Sequence, residues 1–385
     1  MQKPAIVVPC YNRTTSLDRL LNSLIKADYP ADGGVTLIIS VDYSGKTDVA
    51  DMADAFQWPH GDKIVLKHKE NLGLKKNLLL CSDYSIEYTS AIILEEDSYV
   101  TPAFYRFACE SALAYADDPV VAGVSLYAYC FTELSCVRFM PLRMDSPVYL
   151  SRWPSSRGQL WIGARWKEFR NWLDKQGDAS LTNPALPPPI ARWSSSWKKY
   201  MVAYLTLNDK YMVYPYQSYS TNCGDTGCHT IEGSYPDVQV PVTLDMHVPS
   251  FPPSDKIAVR YDAFFNPTED MLKALQPELA GYAFDVDMWA TKPDCALHSE
   301  YLLSTRKCRN SIYSYDWKLL PIELNVITSL RGERIHFAKR DDFAMVPDKE
   351  VIVRNLLWSN KLLTPRDMIT IVCQHVVNKV KCIFR

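Results

Sequence analysis

A chain of 385 residues that is 47% hydrophobic can bury a large core, enough for one big domain plus a smaller one, which excludes disorder. Its 42 basic and 44 acidic residues leave a net charge of −2, which gives no general reason to expect nucleic acid, a ligand that normally demands a basic face, so any phosphate site must be local. Eleven cysteines, with no Cys-x-x-Cys pair and irregular spacing, read as reduced thiols of a cytoplasmic protein, with Cys223 and Cys228 the one close pair.

From the N-terminus, Ala5-Ile6-Val7-Val8 predicts a strand, too short and too soon cut by Pro9 for a secretory segment. Residues 14–27 carry Leu17, Leu20, Leu21, Leu24 and Ile25 at helical spacing. A second strand follows at 35–41, a helix at 47–56, a strand at 63–67, a helix at 74–88 and a fourth strand at Ile92-Ile93-Leu94. Strands alternating with helical segments predict a mostly parallel central sheet flanked by helices, an α/β fold whose ligands sit beyond the carboxyl ends of the strands. Cys10-Tyr11-Asn12-Arg13, Asp42-Tyr43-Ser44-Gly45 and Glu95-Glu96-Asp97 all fall at such ends, so three loops converge on one rim. Three adjacent carboxylates repel one another, and oxygen ligands in that position suit Mg²⁺ or Mn²⁺, with substrate phosphates completing the shell. Pro102 opens a further helix to about Tyr115, and 120–126 reads as a strand. Residues 130–195, rich in Trp, Pro and Arg, read as loops and short helices walling the site; a strand at 211–216 precedes the turn-rich stretch Thr221 to His229.

The run Leu94-Glu95-Glu96-Asp97-Ser98-Tyr99-Val100-Thr101-Pro102-Ala103-Phe104-Tyr105 resembles the metal-site pattern of nucleotide-diphospho-sugar glycosyltransferases of GT-A fold. Within them it resembles the branch of the N-acetylglucosaminyltransferase that begins complex N-glycans, together with bacterial family 2-like transferases of surface polysaccharides. The resemblance covers about residues 4–232 and implies a GT-A domain over 1–245, with a nucleotide half to about 126 and an acceptor-side half to 245. Residues 246–385 would form an appended helical region. It implies Asp97 as metal ligand, and Glu95 and Glu96 facing the donor's sugar and ribose. Arg13 and Asp42 would lie near the nucleotide, as would a basic residue that is either Lys75 or Lys76. Trp161 would line the sugar pocket. The loop Asn222-Cys223-Gly224-Asp225-Thr226-Gly227-Cys228-His229 would close over the donor, with His229 reaching phosphate or metal.

One departure stands out. The family's catalytic aspartate lies in a Trp-Asp-x-x-Trp segment, whereas this chain has Trp193-Ser194-Ser195-Ser196-Trp197, and a serine hydroxyl is too weakly basic to take the acceptor's proton unaided. Another carboxylate such as Asp225 or Glu168 serves instead, or the mechanism differs, or the chain binds donor without turnover. The resemblance implies transfer from a nucleotide diphosphate sugar, UDP-sugar favoured, to a glycan or lipid-linked glycan acceptor of a bacterial surface polysaccharide. The alternative is a silent sugar-nucleotide or glycan-binding subunit. A last helix from Thr364, with Ile369, Val372, Val376 and Val380 on one face and Lys379, Lys381 and Arg385 near its end, either docks on its own domain or rests peripherally on the inner face of a membrane.

Overall fold

The computed structural model describes residues 3–134, 138–194, 196–226 and 239–345, and beyond them residues 364, 366, 368–370, 372, 373 and 376. The N-terminal part alternates as the sequence predicts: β1 (Ala5–Cys10), α1 (Thr14–Ile25), β2 (Leu37–Val41), α2 (Asp48–Ala55), β3 (Lys63–Lys67), α3 (Gly73–Glu87) and β4 (Ser90–Ile93). There follow β5 (Ser98–Val100), α4 (Phe104–Ala114), β6 (Val121–Ser125), β7 (Val148–Ser151), β8 (Gln159–Ile162), α5 (Gly163–Gln176), α6 (Lys198–Leu207), β9 (Tyr211–Pro215) and β10 (Ser220–Asn222).

A nine-stranded sheet runs in the order β11-β7-β9-β6-β8-β4-β1-β2-β3, where β11 (Arg260–Tyr261) pairs in parallel with β7. The main sheet therefore takes a strand from beyond residue 245. Strands β4, β1, β2 and β3 are mutually parallel, and β8 enters antiparallel between β4 and β6. Strand alternation sends Val7, Ile38, Ile93 and Trp161 to one face, under Leu78 of α3, Trp166 and Phe169 of α5 and Val202 of α6. Ile6, Val8, Ile39, Ile92 and Leu160 point to the other, under Leu17 and Leu20 of α1, Val49 of α2 and Phe104 of α4. Both faces are thus covered, which is why these strands read as continuous apolar runs. Gly123 in β6 makes room for Trp161 across the strand pair: a Cβ there would sit 2.7 Å from its ring.

Residues 130–195 are more regular than the sequence predicts, since they supply β7, β8 and the 14-residue α5. The region after β11 also differs from a helical appendage. Besides α7 (Glu269–Leu275) and α8 (Leu324–Ile327), it builds a four-stranded sheet from β12 (Phe284–Asp287), β13 (Tyr301–Ser304), β14 (Tyr313–Tyr315) and β15 (Ile335–Lys339), in the order β12-β13-β15-β14. Its anchor is a fully buried Arg306–Asp287 pair at 2.7 Å, with Asp287 also accepting from the backbone of Thr291 and Lys292. Tyr261 of β11 bonds to Glu323 and accepts from the Leu142 amide, tying this region to the main sheet. Among the described residues of the last segment, Ile369, Val372 and Val376 are 66%, 62% and 55% exposed, so their apolar face is not docked on the domain. No helix among the described residues is long and apolar enough to cross a membrane.

Candidate active site

β1 pairs in parallel with both β2 and β4, so the chain leaves β1 in opposite directions across the sheet. The crevice outside the carboxyl ends of β1 and β4 is therefore a topological switch point, where open α/β sheets bind their ligands. Arg13 closes the turn after β1 and the acidic triplet follows β4. The Arg13 Nε donates to Glu96 Oε1 and its Nη1 to Asp97 Oδ2, each at 3.0 Å. Burial works against the Arg13 charge, yet the two carboxylates more than offset it and push its pKa up. Burial raises Glu96 despite the arginine. Asp97, 7% exposed, keeps its other oxygen, Oδ1, without any partner. A buried anionic oxygen left bare is costly, and it is the kind of atom that suits a hard cation whose remaining ligands are phosphate oxygens. The chemistry of this position therefore fits a divalent metal held through one carboxylate.

Glu95 turns to the other side of the rim. The β4–β8 pairing ends at Ile93 and Gln159, and Arg157, two residues before Gln159, is near enough to act electrostatically on Glu95, two residues after Ile93. Contact at the intervening pair agrees, since a Cβ on Gly158 would lie 3.3 Å from Leu94. Burial, then Asp97 and Glu96, push the Glu95 carboxyl up to about 8, with Arg13 and Arg157 opposing.

Behind Arg157 lies a charged cluster that the sequence reading missed. The Glu133 carboxylate accepts from Tyr129 (2.8 Å), Arg157 (2.7 Å) and the Trp153 indole (3.1 Å), and pairs with Lys198. Burial alone would raise its pKa, but Lys198 and Arg157 hold it at about 2. Burial and Arg157 pull Lys198 down to about 8 against the attraction of Glu133. These partners are 24 and 65 residues from Glu133. A lone acid in Cys130-Phe131-Thr132-Glu133 gives no local sign of either.

The remaining predicted residues divide between the rim and elsewhere. Asp42 reaches the rim but spends its oxygens on backbone amides, Tyr43 and Leu72 on Oδ1 and Gly73 on Oδ2, thereby fastening the start of α3. Lys75 and Lys76 separate cleanly: Lys75 bonds to Tyr200 Oη at 3.0 Å and lies over its ring, whereas Lys76 is exposed beside Glu70. Trp161 is fully buried between Trp166 and Trp197, in the core face rather than open to the rim. The segment 222–226 does return to the acidic triplet, because β10 pairs with β5 and the Cys223 amide donates to Asp97 O at 2.8 Å. His229 lies outside the described residues.

The substitute bases fare differently from their prediction. Asp225 is bonded by Arg19 and Ser16 of α1, which hold its carboxyl below the usual range against burial, so it is a poorer base than a free aspartate. Glu168 sits on α5 with Arg165 and Lys210, and the structure does not bring it to the acidic triplet. Ser194 is exposed, but its segment flanks the cluster: Trp193 meets Trp153 edge to face, and Trp197 meets Trp161 likewise.

Residues 5–130 match the family model described as "Glycosyl transferase family 2". This stretch is similar to family 2 glycosyltransferase domains. The fold is GT-A, with the large sheet flanked by helices described above. Similar solved structures include S. aureus TarS 1–349 with UDP-GlcNAc, 16% identical over 59% of this chain and 60% of that one at a TM-score of 0.39. Another is the mannosyltransferase PcManGT from Pyrobaculum calidifontis with GDP-Man and Mn²⁺, 13% identical over 61% and 59% at 0.38. The chain thus spans about three-fifths of the length of these structures. No curated protein matches it in sequence. The glycosyltransferase domain matched here ends at residue 130, just before Glu133, so Arg157, Gln159 and Lys198 lie outside the matched stretch.

Proposed function

We propose that this chain is a metal-dependent glycosyltransferase that moves a hexosyl or N-acetylhexosaminyl group from a nucleotide diphosphate donor, UDP-sugar favoured, to a hydroxyl of a bacterial surface glycan. The observation that carries this reading is the rim at the switch point of a family 2 domain, where Arg13 bridges Glu96 and Asp97 and leaves one buried Asp97 oxygen bare. Asp97 would hold Mn²⁺ or Mg²⁺, and such a cation supplies charge neutralisation for the diphosphate as the sugar–phosphate bond breaks. Arg13, on the neighbouring loop after β1, offers a second fixed positive charge at that place. Glu95, across the triplet, faces the side where the sugar would lie. The N-acetylglucosaminyltransferase-like branch, the lipid-linked acceptor and a peripheral membrane contact through the exposed face of Ile369, Val372 and Val376 belong to the same proposal.

A silent donor-binding subunit is the second reading. What favours it is that Asp225 and Glu168 are both engaged with cations, while the segment resembling Trp-Asp-x-x-Trp carries Ser194 where the resemblance expects the base. Donor consumption separates the two. With Mn²⁺, a panel of UDP- and GDP-sugars and a lipid-linked glycan acceptor, an enzyme releases nucleoside diphosphate in an acceptor-dependent way. Thermal stabilisation by donor with no release would leave the binding subunit, and stabilisation by none of the panel would remove both readings. A donor at 100 times its Kd stabilises by about 2.7 kcal/mol, well within reach of thermal denaturation.

A further inference from the structure

Gln159 is fully buried, yet neither its Oε1 nor its Nε2 has a hydrogen-bond partner. Buried side-chain polar atoms are nearly always bonded, so an amide bare at both ends needs a physical account. Its position offers one. It opposes Ile93 of β4 and Ser125 of β6 at the rim end of the sheet, where Arg157 precedes it by two residues and Glu95 follows Ile93 by two. Among the described residues nothing donates to the Glu95 carboxylate, and Arg157 spends a single side-chain N–H, on Glu133. One edge of the rim therefore presents an acceptor, a set of donors and a group that is both.

Two neighbouring hydroxyls on a pyranose ring complement that edge, because each hydroxyl donates and accepts. We infer that Gln159 is a specificity-determining residue that binds two vicinal hydroxyls of the sugar carried by the donor nucleotide, with Arg157 and Glu95 on either side of it. Glu133 acts through Arg157 as a positioning residue. The inference rests on the donor reading proposed above and adds to it the part of the donor that is read. It also accounts for a core residue that weakens the fold: an amide without partners is kept where its partners arrive with the substrate.

The test replaces Gln159 by residues of similar volume without polar atoms, Gln159→Leu and Gln159→Met, in the full chain. Calorimetry with Mn²⁺ compares UDP with UDP-glucose and UDP-N-acetylglucosamine, and GDP with GDP-mannose. The wild type should bind one sugar nucleotide more tightly than its nucleoside diphosphate. Both variants should lose roughly tenfold of that margin, about what one or two hydrogen bonds supply, with nucleoside diphosphate affinity unchanged. Free of ligand, at least one variant should melt about 2–4 °C higher, because no buried group is left unpaired. If both variants melt lower than wild type, or if either keeps the full sugar margin, Gln159 is a core support and the inference falls while the donor reading stands. A wild type that binds no nucleotide of the panel overturns the donor reading, and this inference with it.

Discussion

Glu133→Gln keeps the shape of the side chain and removes the charge that separates Arg157 from Lys198. Breaking one member out of a buried ion pair typically costs about 3–5 kcal/mol, since an uncompensated charge remains. The titration of Glu133 gives a similar size. Its carboxyl falls from 4.5 to about 2 in the fold, which at about 1.4 kcal/mol per pH unit is roughly 3 kcal/mol of stability. Because the folded value is the lower one, that stability is fully present above pH 4.5 and is lost as the pH falls toward 2. Lys198 has the opposite sign. Its pKa drops to about 8, so its buried charge is paid for by the fold at neutral pH and stability rises as the pH climbs from 8 toward 10.5. Lys198→Met removes that cost together with one partner of Glu133, which keeps Arg157, so it should destabilise less than Glu133→Gln. Glu133→Gln should lower the melting temperature by roughly 6–12 °C at pH 7, and Glu133→Gln with Lys198→Met should recover part of that loss. Urea unfolding followed by tryptophan fluorescence at pH 7 and at pH 4 measures all three proteins. A Glu133→Gln loss below about 1 kcal/mol, or a Lys198→Met loss equal to it, would refute the reasoning, because the cluster would then be solvated rather than buried.

Asp97→Ala should abolish the Mn²⁺-dependent part of donor binding; wild-type nucleotide affinity in the variant at saturating Mn²⁺, by calorimetry, would remove Asp97 as the ligand. Asp225→Asn should change turnover by no more than about threefold, far below the 10²–10⁴ expected of a general base, because Arg19 and Ser16 already hold that carboxylate; a hundredfold loss with donor binding kept would make it the base after all. Ser194→Asp should leave donor affinity intact and raise acceptor-dependent release of nucleoside diphosphate, and an unchanged or lower rate would mean that the segment does not sit where the family's base sits.

What could be read from the sequence was whatever physical chemistry makes local. Strands β1 to β4 are short β-branched runs spaced by amphipathic helices, and the acidic triplet announces itself because three carboxylates follow directly on a buried strand. β8 has no such signature: Gln-Leu-Trp-Ile is buried on both faces and shows no alternation. α5 did carry one, since Gly163, Trp166, Phe169 and Leu173, its buried residues, fall at helical spacing among charged neighbours, and the aromatic richness around it hid the period. The four-stranded sheet after residue 280 draws on strands of three to five residues, too short for a pattern to declare itself.

The candidate site divides along the same line, and the division has a consequence for its chemistry. Arg13 and Asp97 each sit next to the strand that positions them, so the side of the rim proposed for the metal could be placed from motif and strand end alone. The side proposed for the sugar depends on contacts between distant segments: Arg157 acting on Glu95, and Glu133 between residues 157 and 198. Long-range pairing of this kind lets substitutions at one strand change the electrostatics at another without disturbing the motif beside the metal. Ser194 in the segment that resembles Trp-Asp-x-x-Trp fits that separation: under the proposed function the donor half is fixed by local geometry, while the groups proposed to face sugar and acceptor are set by contacts between distant segments and can change independently. Ser194→Asp puts a carboxylate next to Trp193, which packs on Trp153 where that indole bonds Glu133, so whether Lys198 reaches position 194 decides between gaining turnover and staying inert. An aspartate captured by Lys198 would be held ionised and weakly basic, so Ser194→Asp combined with Lys198→Met should exceed Ser194→Asp alone in acceptor-dependent turnover; equal rates would show that the wall does not reach position 194.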